Sequence, residues 1–342
     1  MQPTDKIGVL VAALGTPDAP TPQAVRVYLR QFLSDMRVID YSPFVWQPVL
    51  RGIILNTRPR KSAALYQRIW LENGSPLLVY SQQQADGVKA RLGDNFRVLL
   101  GMRYGNPSIE KAIAQFEAEG IDRILVVPMF PQFSSTTTAS IYDAVYTAAA
   151  GRRCPLFHER KRTVPTLRFL EPYYDDPGYI ASLRDHLAGV IAAQPEAPDK
   201  VLISFHGIPE RFVTTGDPYP QQCERTAEAL AQAMGWTRDQ WAMSYQSRFG
   251  PEKWLQPATD ATIRGLAAQG VKRLLVFSPG FVTDCLETLD ELGNEGRHLF
   301  AESGGDASAF RVAPCLNAFP GWLDALTGLI KRGVGGWDVR HP

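Results

Sequence analysis

The chain has few cysteines, and they form no motif. Its 342 residues include only Cys154, Cys223, Cys285 and Cys315, which lie far apart with no CxxC pair. This spacing argues against a zinc ribbon, an iron–sulfur cluster and a disulfide framework. We therefore expect free thiols in a reducing compartment.

The chain also lacks an excess of charge and a long hydrophobic run. Lys and Arg number 36 against 35 Asp and Glu, a net charge of +1, so nothing in the charge balance favours a nucleic-acid partner. The apolar run near the amino terminus is broken by Gly15, Pro17 and Pro20, and it predicts neither a signal peptide nor a spanning helix. No glycine-rich nucleotide-binding motif follows a predicted strand. We expect a cytoplasmic protein.

Short apolar runs alternate with segments of helical periodicity. The segments 108–120 and 256–270 have that periodicity and each ends at a glycine. The alternation predicts an α/β fold with doubly wound parallel sheets flanked by helices. The runs rich in β-branched residues, which we interpret as buried parallel strands, are 7–14, 96–104, 123–130, 200–206, 241–247 and 273–280.

The chain resembles itself. GIDRILVVPMF begins at residue 120 and GVKRLLVFSPG at residue 270, and GVLVAALGTP (8–17) aligns with KVLISFHGIP (200–209). Any two βαβ units look somewhat alike, but the shared order of elements favours a duplication. We expect two similar Rossmann-like lobes facing each other across a cleft, at 1–160 and 161–325, followed by a tail at 326–342.

Ligands of such sheets bind beyond the carboxyl ends of the strands. The repeat places Leu14 at one such end and His206 at the corresponding end. A neutral imidazole there can ligate a metal or accept a proton, or it can simply fix a turn. If a helix starts near Thr283, Glu287 and Glu291 share one face, where carboxylates can bind a cation or pass protons. The alternative is an acidic first turn favoured by the helix dipole.

Three segments are similar to signature motifs of the ferrochelatases: SFHGIPERF (204–212), GDPYPQQC (216–223) and PGFVTDCLETLDEL (279–292). The resemblance extends from LGTPDAPT near the start to NAFPGWLDAL near the end. It implies a chelatase-like duplicated fold in which His206 and Glu287 face each other across a porphyrin as catalytic and metal-handling residues. The implied reaction inserts Fe²⁺ into protoporphyrin IX with loss of two pyrrole protons, the last step of heme synthesis.

The resemblance also implies residues that bind the substrate and further carboxylates that continue a path for protons or metal from Glu287, called here the acidic route. Cys285 stands where some relatives have a second histidine, which suggests sensitivity to soft metals. The carboxy-terminal KRGVGGWDVRHP has no cysteine, so the cluster-bearing tail of some relatives is missing. We expect Fe²⁺ as substrate and no permanently bound cofactor. The implied roles are an apolar wall (Leu14), propionate anchors (Arg68, Ser81), ring contacts (Arg103, Tyr104, Tyr245) and a proton or metal path (Asp290, Glu291).

The segment 30–59 is unusually apolar for a connection. It contains Phe44, Val45 and Trp46 and a second apolar stretch at 53–55. It can be an ordinary core helix or a pocket lip that also touches lipid, and we favour a mixture. We therefore expect peripheral contact with the inner membrane. Separately, we expect a monomer or weak dimer.

Three other activities fit parts of the sequence. One is a chelatase for coproporphyrin, because the sequence does not reveal the number of propionates on the ring. Another is a chelatase that inserts cobalt into a sirohydrochlorin-type ring, although the apolar and aromatic segments fit that polar substrate poorly. The third is a protein that binds a tetrapyrrole or metal without chemistry. That activity leaves the closely spaced carboxylates Asp284, Glu287, Asp290 and Glu291 unexplained.

Overall fold

The computed structural model describes residues 4–151, 160–248 and 250–337. They form two compact units. The N-terminal unit comprises the described residues within Met1–Phe130, Ser135–Glu171 and Leu323–Pro342, and the C-terminal unit comprises Pro131–Ser134 and Pro172–Trp322.

The division differs from the boundaries expected at 160 and 325. The N-terminal unit continues to Glu171 because the short strand Thr166–Phe169 pairs in parallel with the strand Arg123–Pro128. The residues from Leu323 onward, divided in our expectation between the second lobe and a tail, belong to the N-terminal unit.

The N-terminal unit contains a four-stranded parallel sheet in the order β2-β1-β3-β4. Three of its strands lie within one residue or two of the predicted apolar runs. The fourth was not predicted, because four residues carry little periodicity. The strands are β1 (Ile7–Gly15), β2 (Phe96–Tyr104), β3 (Arg123–Pro128) and β4 (Thr166–Phe169).

The C-terminal unit repeats this arrangement in the order β6-β5-β7-β8, again with parallel pairing. Its edge strand β8 has three residues and was likewise not predicted. The strands are β5 (Lys200–His206), β6 (Trp241–Gln246), β7 (Leu274–Phe277) and β8 (Phe310–Val312).

Helices connect the strands in both units. In the N-terminal unit they are α1 (Pro22–Leu33), α2 (Pro43–Val49), a π-helical turn (Leu50–Ile54), α3 (Leu55–Ile69), α4 (Pro76–Leu92), α5 (Ile109–Ala118) and α6 (Thr138–Ala150). In the C-terminal unit they are α7 (Pro177–Ala192), α8 (Glu210–Thr214), α9 (Tyr219–Met234), α10 (Thr259–Ala268), a π-helix (Glu287–Glu295), α11 (Gly296–Glu302) and a 3₁₀ turn (Ala307–Ala309). The last helix, α12 (Pro320–Gly333), begins in the C-terminal unit and continues in the N-terminal unit.

Hydroxyl side chains fix where several helices begin. Thr21, Ser75 and Ser108 each accept a hydrogen bond from the backbone N–H three residues later, at 3.2 to 3.3 Å. Such caps satisfy amides that have no partner inside the helix. The local sequence therefore sets the starts of α1, α4 and α5 before tertiary packing acts.

Each unit buries its own apolar core. In the N-terminal unit, Leu10 of β1, Ile113 of α5 and Val145 of α6 are fully buried in one cluster. In the C-terminal unit, Leu202 of β5 packs with Phe300 of α11 in an equivalent cluster. Full burial of such side chains stabilises a fold by about 1.5–3 kcal/mol each, so these layers hold the strand ends in place.

The predicted duplication is confirmed in detail. The two sheets share the same strand order, and the helices α5 and α10 end in the same way. Gly120 and Gly270 both adopt positive φ, 72° and 84°, after these helices. The residue that follows each glycine donates its N–H to the carbonyl of Phe116 or Leu266, five residues earlier.

The apolar segment 30–59 combines buried and exposed side chains, as the sequence indicated. Leu50 and Leu55 are core residues, at 0% and 2% exposure. Phe44, Val45 and Ile53 are exposed at 91%, 67% and 60%. Among the described residues, no helix is both long enough and apolar enough to cross a bilayer.

Candidate active site

His206 is the last residue of β5 and is half-buried. Its Nδ1 lies 2.6 Å from the carbonyl oxygen of Gly207. A carbonyl can only accept, so Nδ1 carries the proton and donates it in the neutral imidazole. Nε2 is then the nitrogen with the lone pair, ready to accept a proton or ligate a metal.

Gly207 is required by a close approach of two strands. Its N–H donates to the carbonyl of Gln246 across 2.8 Å. A Cβ at this position would lie 3.0 Å from that carbonyl oxygen and 3.2 Å from Cε3 of Trp254. The glycine of the HGIP motif therefore lets the end of β5 lie against β6, and this contact fixes the backbone that carries His206.

A buried hydroxyl network lies on the same face of β5 as His206, because Ser204 is two residues earlier. Ser204 donates to Oε1 of Gln246 across 2.6 Å and lies 2.9 Å from the hydroxyl of Thr259. Thr259 also lies 2.8 Å from the hydroxyl of Ser244. These contacts join β5, β6 and α10, so the strand end that bears His206 has little freedom to move.

The acidic residues lie at the start of the π-helix Glu287–Glu295. Our expectation of a helix starting near Thr283 was wrong, because that helix begins only at Glu287. Glu287 and Glu291 are half-buried, whereas Asp290 is 1% exposed and accepts a hydrogen bond from Asn294 at 2.8 Å. π-Helical turns are rare and occur often at functional sites.

Asp284 explains the late start of the π-helix. Its carboxylate accepts hydrogen bonds from the hydroxyl of Thr288 at 3.0 Å, the backbone N–H of Cys315 at 3.2 Å and the amide of Asn317 at 2.7 Å. The residue is 4% exposed. Asp284 thus ties the segment before the helix to the loop after β8, and its role is structural.

Glu291 interacts electrostatically with both His206 and Glu287. Burial raises the pKa of Glu291 above its usual value, and the charge of Glu287 raises it further. A hydrogen bond from Ser247, at 2.5 Å, and the positive charge that His206 carries once it has accepted a proton favour the ionised carboxylate and oppose that rise in pKa. The sequence indicated both carboxylates but gave no signal for Ser247.

Cys285 is buried in this segment, at 6% exposure. Burial raises the pKa of its thiol well above the usual value, and the negative charge of Glu287 adds to the effect. Metals and electrophiles react with the thiolate, so the protonated, buried thiol is a weaker soft-metal ligand than the sequence alone suggested.

In the N-terminal unit, Arg103 and Tyr104 bind an aspartate that sequence reasoning missed. The guanidinium of Arg103 lies 2.5 Å from the carboxylate of Asp35, and the hydroxyl of Tyr104 donates to the same oxygen across 2.7 Å. Ser140 completes the cluster, accepting from Nε of Arg103 at 2.7 Å and donating to Asp35 at 2.5 Å. Nothing in the sequence around Asp35 marks it as the partner of an arginine 68 residues away.

This cluster is internally satisfied and mostly buried. Tyr104 is 1% exposed, and about a quarter of the Arg103 side chain, 23%, remains accessible. Burial would raise the pKa of Asp35, but hydrogen bonds from Ser140 and Tyr104 together with the charge of Arg103 lower it below the usual value. Asp35 is therefore ionised and orients the Arg–Tyr pair.

The other predicted substrate contacts lie on separate elements. Leu14 is half-buried near the end of β1, and Arg68 is exposed in the last turn of α3. Ser81 of α4 is fully buried, and among the described residues its hydroxyl has no hydrogen-bond partner. Tyr245 of β6 is 6% exposed, so only a small part of its ring surface is accessible.

The described residues contain no group of three or more His, Cys, Asp or Glu side chains arranged to hold a metal ion. His206 and Glu287 supply two potential ligands. An ion that enters as a substrate and leaves within the product does not require a closed protein cage.

Comparison with known proteins places the chain in a family. A model of the ferrochelatase family matches residues 6–334. The chain is 46% identical over 336 residues to the ferrochelatase of Alcanivorax borkumensis, covering 97% of this chain and 95% of that protein. It is 47% identical over 339 residues to ferrochelatase 1 of Shewanella oneidensis, covering 98% of each.

Solved structures support the same fold at low identity. SirB from Bacillus subtilis with Fe³⁺ superposes with a TM-score of 0.56 at 11% identity, covering 98% of this chain and 100% of that chain. CbiX, the terminal enzyme for biosynthesis of siroheme in denitrifying bacteria, gives 0.53 at 16% identity, covering 95% and 98%. At these identities the likeness concerns the fold alone. The full-length family match, with relatives at 46% and 47% identity, shows that the chain belongs to the ferrochelatase family, the lyases that insert Fe²⁺ into a porphyrin to make heme.

Proposed function

We propose that this chain inserts Fe²⁺ into protoporphyrin IX, and that His206 and Glu287 perform the chemistry. Insertion releases two pyrrole protons while the hydrated ion loses its water. The observation that carries the assignment is the Nδ1 contact to Gly207, which leaves Nε2 of His206 as the lone-pair nitrogen. Burial of the acidic segment, residues 284–291, strengthens electrostatic interactions around this imidazole.

The two residues divide the work. One accepts the two pyrrole protons in turn and passes each on along the acidic residues to solvent, and the other handles the incoming metal, since a neutral imidazole and a carboxylate can each do either. Glu291 and Asp290 extend the acidic route along the π-helix. Glu291 is the more accessible of the two, because Asp290 is buried and already binds Asn294.

The N-terminal unit contributes contacts to the porphyrin in this proposal. Leu14 provides an apolar wall and the exposed Arg68 anchors a propionate, whereas Ser81, the other propionate anchor expected from the sequence, is fully buried and does not reach the substrate. Arg103 contacts the macrocycle through its accessible part, with Tyr104 holding it in place. In the C-terminal unit, Tyr245 contributes the exposed edge of its ring. Binding energy from these contacts can hold the ring bent, which exposes the nitrogen lone pairs.

The central test is substitution of the two reacting residues. His206→Ala and Glu287→Ala should each lower the rate of iron insertion by at least about 100-fold while the protein stays folded and binds porphyrin. The matched control is His298→Ala, because His298 is 73% exposed on α11 and its contact is with Glu302, one turn later on the surface. Near-normal turnover by either active-site variant would remove that residue from the assignment.

The identity of the ring is tested separately. Wild-type protein is supplied with Fe²⁺, Zn²⁺ or Co²⁺ and with protoporphyrin, coproporphyrin or sirohydrochlorin, and product is followed by absorbance. Fastest turnover of Fe²⁺ with protoporphyrin supports the proposal. Preference for coproporphyrin, cobalt turnover of the sirohydrochlorin, or binding without turnover would each favour one of the alternative activities.

We further propose that the exposed residues of 30–59 touch the surface of the inner membrane from the cytoplasm. Phe44 and Ile53 supply an apolar contact, and Arg51 lies in the same turn as Ile53 and can meet anionic headgroups. We also propose that the protein is a monomer or weak dimer and has no nucleic-acid partner.

The chain is proposed to work without an iron–sulfur cluster. Cys223, Cys285 and Cys315 are free and buried on separate elements of the C-terminal unit, and Cys154 lies outside the described residues. Iron and acid-labile sulfide analysis of the purified protein tests this directly.

A further inference from the structure

Among the described residues, two non-glycine residues adopt a left-handed backbone: Ser247 with φ of 66° and Asn317 with φ of 45°. L-residues other than glycine avoid this region, and the strain persists only where the surroundings enforce it, often at functional sites. Both residues lie in the C-terminal unit, and the side chain of each binds a carboxylate of the acidic segment.

The two carboxylates differ in their surroundings. Asp284, held by Asn317, is 4% exposed and accepts further hydrogen bonds from Thr288 and Cys315. Glu291, held by Ser247, is half-buried and interacts electrostatically with His206 and Glu287. Asn317 therefore secures a structural tie, whereas Ser247 acts on a carboxylate beside the proposed reacting groups.

The left-handed conformation explains how Ser247 reaches Glu291. The last residue of β6, Gln246, pairs in register with His206 of β5. Ser247 comes next, and its positive φ turns the chain away from the strand direction. The turn directs the hydroxyl to Glu291, to which it donates a hydrogen bond across 2.5 Å.

We propose that Ser247 is a positioning residue for iron insertion, which fixes the Glu291 carboxylate beside His206. The proposal rests on the proposed role of Glu291 in the acidic route. The short hydrogen bond from this strained residue restricts the orientation of the carboxylate, so it need not be reorganised when iron or a proton passes. Ser247 itself need not touch the substrate.

The experiment distinguishes the effect of losing the Ser247 hydroxyl from the effect of relieving its backbone strain. Ser247→Gly removes the hydroxyl but adopts positive φ without cost, and Ser247→Asn restores a side-chain donor in a residue that tolerates the left-handed region. Iron insertion into protoporphyrin is measured together with urea unfolding. Ser247→Gly should remain folded and lose about tenfold or more in kcat with little change in KM. Ser247→Asn should recover most of that kcat.

The matched control is Asn317→Gly, which relieves the same kind of strain and releases Asp284. It should unfold at lower urea but keep the KM and most of the kcat of the wild type. A wild-type kcat for Ser247→Gly, or a folded Ser247→Asn that is as slow as Ser247→Gly, would overturn the proposal. Glu291→Gln in the same assay tests the proposed role of Glu291 separately from that of Ser247. If this variant turns over normally, the proposed route through Glu291 itself fails.

Discussion

Arg103 and Asp35 form an ion pair of 2.5 Å inside the N-terminal unit. The sequence indicated Arg103 as a porphyrin contact but gave no partner for it. The pair shows that much of the guanidinium is committed to the protein, so its role in binding depends on Asp35 as well.

Asp35→Asn should lower the free energy of unfolding by about 2–4 kcal/mol, because it removes the negative charge to which Arg103, Tyr104, Ser140 and the backbone N–H of Arg37 donate hydrogen bonds. Urea unfolding measures this loss. The matched surface variant is Asp143→Asn, which breaks a pair with Arg37 in which both side chains are nearly half exposed, 48% and 45%. It should cost less than about 1 kcal/mol, and an equal cost for both variants would contradict the buried-cluster interpretation.

The same cluster predicts a pH dependence. The pKa of Asp35 is lower in the folded protein than in the unfolded chain. Its stabilisation is therefore complete above the unfolded pKa of about 3.9 and is lost as the pH falls through the lower folded value. The difference in unfolding free energy between wild type and Asp35→Asn should shrink as acid is added, and a constant difference from pH 7 to pH 3 would argue against it.

Gly207→Ala should impair both stability and activity. The added methyl group would lie 3.0 Å from the Gln246 carbonyl oxygen and must displace the backbone that carries His206. We expect a loss of about 1–3 kcal/mol in unfolding free energy and a lower kcat for iron insertion. The control is Gly189→Ala in α7, where, apart from the flanking residues and the backbone of the helix itself, no atom of the described residues lies within 4 Å of the new Cβ. There the substitution should stabilise the helix by up to about 1 kcal/mol.

The exposed apolar residues of 30–59 predict binding to lipid. Phe44→Glu combined with Ile53→Glu should weaken sedimentation with anionic phospholipid vesicles by about tenfold or more, because each side chain loses apolar burial worth more than 1 kcal/mol. Val164→Glu changes an apolar residue that is 55% exposed outside this segment and serves as the control. Equal vesicle binding by all three proteins would remove the membrane proposal without touching the enzymatic one.

The buried thiols should be unreactive in the folded protein. Burial raises the pKa values of Cys223, Cys285 and Cys315 well above the usual value, which leaves little thiolate at neutral pH. In a Cys154→Ser background, a disulfide reagent should modify these three thiols much more slowly in buffer than in urea. Rapid modification of Cys285 in the native state would restore the soft-metal sensitivity that the sequence suggested.

Strand positions were readable because buried parallel strands are continuous apolar runs. The predicted limits 96–104 and 200–206 are those of β2 and β5. The edge strands β4 and β8 were not readable, since three or four residues show no period. The late start of the π-helix was also hidden, because it depends on Asp284 binding Asn317, which is distant in sequence.

The sequence by itself determined the duplicated α/β fold and the family, and it marked His206 and Glu287 as candidate reacting residues, because periodicity, glycine positions and motifs are local properties of the chain. Only the tertiary structure decided which groups hold the predicted site residues. Asp35 forms an ion pair with Arg103, the Gly207 carbonyl accepts from Nδ1 of His206, and the Ser247 hydroxyl donates to Glu291. Hydrogen bonds and ion pairs depend on distances of a few ångströms between segments far apart in the chain, and no local pattern encodes those distances.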